Sequence, residues 1–170
     1  MSDDKIKQAL DMVRDSIPDP SAGLPDPVFE FILRVTAIVN VDLLIQDAVL
    51  GTLLTWRDDE FGAGWHIPGG IIRFRESAAH RIAEVARLEL GATVDADASP
   101  CDIQQFFSRR GHFISLLYRC RLTSILPDRL MLQTERRLQT GVIKWFAAPP
   151  ENIYPGHETY ARHLTWLKTP

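Results

Sequence analysis

The stretch PGGIIRFRESAAHRIAEVARLELGA, residues 68–92, restricts the fold of this chain more than any other. Paired glycines behind a proline demand a bend, and the amphipathic run that follows demands a helix laid on a core. Ser77 is an N-cap and Gly91 a left-handed stop, which predicts a helix over about 78–90. At helical spacing Ala79, Ile82, Ala83, Ala86 and Leu90 form its apolar stripe, with His80, Glu84 and Arg87 facing away. Glu89 falls at the margin of that stripe. A carboxylate there needs a cation, a cage of hydrogen bonds or a cleft open to water, because burying it unpaired is costly. Helix geometry alone equally allows it to swing out from the last turn.

The flanking segments supply the rest of an α/β (α+β) sandwich. Residues 3–16 read as a short polar helix, and IPDPSAGLPDP as the one candidate linker. Asp26 and Pro27 start a second helix, as N-cap and first helical residue, and VFEFILRV continues it with apolar residues at helical spacing. AIVNVDLLI is β-branched and strand-like, with Asp42 out of place inside it; QDAVLG turns and TLLTWR returns as a hairpin partner. DDEFGAG reads as a loop before WHIPGG, while DIQQFF, HFISLLYRCRL and VIKWFA read as three further strands. HETYARHLTWLK closes the chain as a helix with Tyr160, Leu164 and Leu167 on one face.

Composition excludes several classes. A 170-residue chain of net charge −3, without a Lys/Arg cluster, is sized for one domain and is a poor match for nucleic acid. Cys101 and Cys120 lack metal-site or disulfide-framework spacing, and Cys120 reads as a small core group. No apolar run reaches membrane-spanning length and the N-terminus has no signal-like apolar core, so the expectation is a cytoplasmic protein.

The opening stretch resembles the box of the Nudix hydrolases, G-x5-E-x7-R-E-U-x-E-E-x-G-U with U aliphatic. Gly70, Glu76, Glu89 and Gly91 match at the correct spacing, and Ala86 and Ala92 are small apolar fits. Glu84 stands in place of the arginine, and Val85 and Leu88 in place of glutamates. From about Val28 onward the chain is most similar to the GDP-mannose mannosyl hydrolase branch, through VDLLI, LLTWR, GWHIPGG, ELG, HFISLLYRCRL and Gln139 six residues before Trp145. The resemblance implies a Nudix-type α/β/α sandwich with a mixed sheet over residues 26–170, preceded by an extension of residues 1–25 that it does not cover.

It also implies a site. Magnesium, or manganese in its stead, would be held by the Gly69 carbonyl, Glu89 and Gln139, a weak oxygen set completed by water and substrate phosphate. Arg57 matches a diphosphate-contacting arginine and Asp42 an aspartate near the sugar, so that Arg57, Glu89 and Asp42 are the expected catalytic group. From the residues alone, Asp42 could equally mark an edge strand, Arg57 a surface position and Gln139 an exposed polar site. Gly70, Glu76 and Gly91 shape the box, with Arg73 or Arg75 as local partners for Glu76. Relatives on this branch pair as homodimers, and the VFEFILRV helix is either part of such a contact or ordinary core packing.

Three positions depart from the branch. Thr140 occupies the place of the general-base histidine, Ile71 that of an arginine after the paired glycines, and Gln105 that of a substrate-side histidine. A threonine hydroxyl is no base near neutral pH. Glu135, His112 and His157 are alternative bases among which the sequence does not choose. Three readings follow: hydrolysis of a nucleoside diphosphate sugar or similar conjugate at the sugar carbon, pyrophosphohydrolysis at phosphorus, or a non-catalytic nucleotide-ligand module with a degenerate box.

Overall fold

The computed structural model describes residues 2–131 and 138–164. Strand β1 (Ile38–Asp47) is its axis. Along one edge β1 runs parallel to β7 (Gly111–Leu122), from Ile38 opposite Phe113 to Ile45 opposite Cys120. The other edge is shared: β4 (Gly69–Ile71) pairs with residues Asn40, Val41 and Asp42, and β2 (Gly51–Asp59) pairs only with Gln46 and Asp47. Between them the Leu43 N–H donates to the Pro68 carbonyl at 2.8 Å. Beyond its root β2 leaves β1 for β3 (Gly62–His66) and β8 (Ile143–Phe146). β5 (Val94–Ala96) and β6 (Asp102–Ser108) complete the mixed sheet on β7.

Alternation along β1 sends its side chains to two different cores. Val41, Leu43 and Ile45 meet Ile82, Val85, Ala86 and Leu90 of the box helix. Leu44 faces the opposite side, where Leu54, Trp65, Leu117, Tyr160 and Leu164 pack. Asp42 shares the parity of Leu44 and is 2 % exposed, in the centre of the sheet; the edge-strand reading of its polarity is overturned. The layers are therefore α/β/α, with the box helix on one face and the C-terminal segment on the other.

Local expectations fared unevenly. Helix α1 (Asp3–Asp15) and helix α2 (Asp26–Val35) form where expected, although Pro25, not Asp26, occupies the cap position. DDEFGAG is not an open loop: β2 and β3 pair from Thr55–His66 to Asp59–Gly62 around a tight turn. The short β5 was not anticipated. The C-terminal helix begins as a 3-10 turn (His157–Tyr160) and continues as α4 (Ala161–Leu164), with Leu167 outside the described residues. Within α2, Phe31 and Val35 are exposed while Phe29 and Ile32 help wall the cavity described below, so ordinary core packing does not account for its apolar residues.

Candidate active site at the paired-glycine bend

Helix α3 (Ala78–Val85) starts under the Ser77 hydroxyl, which accepts the His80 N–H at 3.1 Å. Its last turn, Ala86–Leu90, widens to π-helical geometry before Gly91 stops it with φ 59°. Such wider turns re-aim side chains late in a helix, and they cluster at functional sites. The buried face also differs from the expected stripe. Ala79 and Ala83 are exposed, and Arg81 and Val85 are buried in their place. The reason lies in Gly70: a Cβ there would stand 2.7 Å from Val85 Cγ2 and 3.2 Å from Arg81 Cδ, so the helix rests on bare backbone.

Two departures in the box thus have separate causes. Val85 fills the contact with Gly70, whereas Leu88 is 59 % exposed. Glu84 lies on the outer face, in a pair with Arg87 at 2.8 Å. The partner of Glu76 is neither Arg73 nor Arg75 through its side chain. Arg81 donates to Glu76 Oε2 at 2.8 Å, and the Arg73 backbone N–H donates to the same oxygen at 2.8 Å. Burial opposes ionisation of Glu76, but these donors outweigh it and hold the carboxyl below its ordinary range. Arg75 instead lies over the Phe74 ring.

Glu89 is brought to the bend. It accepts the Gly69 backbone N–H, its Oε1 lies 3.9 Å from the Arg57 guanidinium, and its side chain is 24 % exposed. Burial raises its pKa to about 7, against the pull of Arg57 and with a further push from the Asp42 charge. The Thr55 hydroxyl stands 3.3 Å from Glu89 Oε2 and 2.8 Å from His66 Nε2, and it has one proton for both. His66 Nδ1 lies 2.7 Å from the Ile67 carbonyl, which only an N–H satisfies, and burial holds the ring neutral. Its Nε2 is then an acceptor that competes for the Thr55 proton and leaves Glu89 poorly solvated.

Asp42 lies across β1 from Gly69, close enough that a Cβ on Gly69 would meet its Oδ1 at 1.9 Å. Ser115, Tyr160 and Asn40 side chains donate to this carboxylate, yet burial prevails and raises its pKa to about 6. A cavity of about 860 Å³ opens over the bend. Asp42, Arg57, His66, Gly69 and His157 belong to its wall, and so do Pro20, Gly23 and Leu24 of the N-terminal extension. Glu89 is not a wall residue; it abuts the cavity through Arg57 and Gly69.

The cavity wall includes the guanidiniums of Arg57 and Arg110. Arg57 lies 5.3 Å from the Tyr154 ring centroid. Arg110, at the β6–β7 turn, sits between the rings of Phe61 and Phe113, at 5.7 and 5.8 Å. Among the described residues Arg110 makes no ion pair; burial and the Arg57 charge both disfavour its protonated form. Two guanidiniums in one partly desolvated wall repel until an anion enters between them.

The other expected residues lie nearby but apart. Gln139 is exposed, in a turn whose Gly141 N–H donates to the Trp56 carbonyl, one strand position from Arg57. Thr140 is latched: its hydroxyl accepts the Asp58 N–H at 2.9 Å and donates to the Asp58 carbonyl. Gln105 meets His112, which stacks on Phe107. Glu135 lies outside the described residues. Sequence reasoning missed Arg81, His66 and Thr55; of these only Arg81 left a signal, a basic residue five positions past Glu76 and off the expected apolar stripe.

Of the residues expected to hold a metal, Glu89 and Gly69 meet at the bend, while Gln139 is exposed in the neighbouring turn. Among the described residues no trio of His, Cys, Asp and Glu converges. The Glu89 carboxylate is underpaired and, with the Gly69 carbonyl, offers only oxygen, which fits a weakly held hard cation that keeps water and phosphate oxygens in its shell.

The fold is that of the Nudix hydrolases. The chain is similar to a MutT Nudix hydrolase from Burkholderia pseudomallei with a TM-score of 0.61 and 17 % identity, over 76 % of this chain and 99 % of that one. It is also similar to a MutT protein from Methanosarcina mazei (TM-score 0.56, 18 % identity, 75 % and 92 % covered). An ADP-ribose pyrophosphatase from Streptococcus suis superposes with a TM-score of 0.52 at 16 % identity, over 76 % and 87 %. In sequence, the chain is 27 % identical over 155 residues to the low-salt glycan biosynthesis protein Agl8 of Haloferax volcanii, covering 86 % of this chain and 94 % of that protein. No family model matches the chain. No helix of the described residues is long and apolar enough to cross a membrane.

Proposed function

We propose that this chain is a magnesium-dependent Nudix hydrolase of a nucleoside diphosphate linked to a sugar or similar group. The observation that carries the reading is Arg57, which joins the Glu89 carboxylate to the wall of a cavity already holding Arg110 and Asp42. Gly69, Glu89 and Gln139 would hold the metal, which when bound polarises a phosphoryl oxygen and offsets phosphate charge. Arg57 and Arg110 grip the diphosphate, the aromatic wall receives the flat base, and Asp42 faces the glycosyl end. The relative named for glycan biosynthesis supports a sugar-bearing substrate. Manganese would serve in place of magnesium, and the protein would act in the cytoplasm; a homodimer formed through the exposed face of α2 fits the apolar Phe31 and Val35.

The test is incubation with magnesium and a panel of nucleoside diphosphate sugars, GDP-mannose among them, in ¹⁸O-labelled water. Free sugar plus nucleoside diphosphate, with label on the sugar, is the expected result. A second reading, attack at phosphorus, gains from the latched Thr140, whose hydroxyl is engaged with Asp58 and cannot replace a base at the sugar carbon. Sugar phosphate plus nucleoside monophosphate, with the label on one of the two, would establish it. Silence across the panel with retained ligand binding would leave a non-catalytic module.

The clamp has its own expected result. Arg110→Ala should raise KM for such a conjugate about 10- to 100-fold with kcat changed far less, because a charge-assisted contact to diphosphate is made in ground and transition state alike. A change in kcat alone would remove Arg110 from the clamp.

A further inference from the structure

Among the described residues three buried side-chain polar atoms have no hydrogen-bond partner: Asn40 Oδ1, His157 Nδ1 and Trp56 Nε1. Two of the three residues, Asn40 and His157, lie in the wall of the cavity beside Asp42, and they are 8 % and 9 % exposed. Trp56 is not part of that wall. An orphaned polar atom at this depth costs free energy unless a ligand or water completes it. Two such residues in the wall of one cavity make a candidate ligand contact.

Their chemistry narrows the ligand. The Asn40 side chain donates to Asp42, so its NH₂ end is used and its carbonyl oxygen is the atom left over. That oxygen requires a donor and repels phosphate oxygens, which are acceptors like itself. His157 is neutral, since burial and then Arg57 depress its pKa to about 3. Its ring is wedged among His66, Tyr154, Phe106 and Tyr160, with centroids 5.4 to 6.2 Å away, so it cannot turn to seek another partner. A hydroxyl both donates and accepts, and therefore satisfies the unpartnered Nδ1 in either tautomer as well as the Asn40 carbonyl.

We infer that Asn40 and His157 form a hydroxyl-binding floor that receives the glycosyl moiety, and that they set the preference for a sugar-bearing over a plain nucleotide. This rests on the nucleotide-sugar reading above. Both are binding and specificity residues; neither is assigned to the bond-breaking step. By the same logic phosphate is directed to the guanidiniums of Arg57 and Arg110 in the same wall and away from the Asn40 carbonyl.

The experiment is calorimetric titration of the full chain with matched pairs: GDP and GDP-mannose, UDP and UDP-glucose, ADP and ADP-glucose. Calcium replaces magnesium to slow turnover. His157→Phe keeps the aromatic packing and removes Nδ1, and Asn40→Leu keeps the volume and removes the orphaned oxygen; thermal melting of each verifies the fold. For the best-bound pair, the ratio of conjugate to nucleotide affinity should fall about tenfold in each variant, with nucleotide affinity within twofold of the parent. An unchanged ratio in both variants overturns the floor while leaving the nucleotide-sugar reading in place. So does an equal loss for both members of the pair, which would assign these residues to the base or phosphate. If the parent chain binds no member of any pair, the functional reading itself falls and the floor with it.

Discussion

Glu89→Gln is expected to lower magnesium-dependent turnover by roughly a hundredfold or more, because the proposed cation site loses its carboxylate. The same substitution should make the metal-free protein more stable at pH 8, by about 2 kcal/mol. The sign follows from the raised pKa of about 7 against an ordinary 4.5. The folded state favours the protonated carboxyl, so stability from this group is present at low pH and is lost as pH rises through about 4.5 to 7. Glutamine imitates the protonated form and carries no such loss. Denaturant titrations in chelator should therefore converge below pH 4.5, separate between pH 4.5 and about 7 and stay apart above, with the variant higher. A variant that is less stable at pH 8, or that turns over normally at limiting magnesium, would reject this role for Glu89.

Arg81→Leu should produce the largest loss of stability, about 3–4 kcal/mol, because it leaves Glu76 as a buried carboxylate without its counter-ion. The two side chains are 8 % and 9 % exposed, so solvent cannot take over. Glu76 has a lowered pKa, and here the sign is opposite to that of Glu89. The contribution of the pair is present above the ordinary glutamate pKa and disappears as pH falls through the folded value. The gap between parent and variant should accordingly narrow in acid. Adding Glu76→Gln to Arg81→Leu should recover part of the loss, since no buried charge then remains unpaired. A single-variant loss below about 1 kcal/mol would contradict the account.

Several features were legible because they depend on neighbours in the chain. The cap at Ser77, the stop at Gly91 and the strand character of AIVNVDLLI follow from local propensity and period, and the structure has each of them. The box spacing did more, because it linked Glu89 to the paired glycines across a helix whose length is set by its residue count. That linkage is realised in the hydrogen bond from the Gly69 N–H. The β2–β3 hairpin was missed because DDEFGAG carries turn residues throughout, and only pairing partners show where the strands stop.

The phase of the box helix lay beyond local reasoning. Periodicity placed the alanines inward, but the contact with Gly70 rotates Arg81 and Val85 into the core. Glu76 then finds its cation at Arg81 and not among its immediate neighbours. Asp42 shows the same division. Its residue type announced an anomaly, while its role depends on Ser115, Tyr160 and Gly69, which come from three distant segments.

What the sequence determined by itself is the order of elements and the identity of the bend-and-helix unit, since both are fixed by capping, period and spacing over a few turns. What only the tertiary structure decided is the environment of each charged group: which carboxylates are desolvated, which arginines lack a carboxylate, and that Pro20, Gly23 and Leu24 wall the same cavity as Arg57. The physical reason is that burial and pairing are properties of approach between segments remote in the chain, and no local pattern of residues encodes the distance at which they meet.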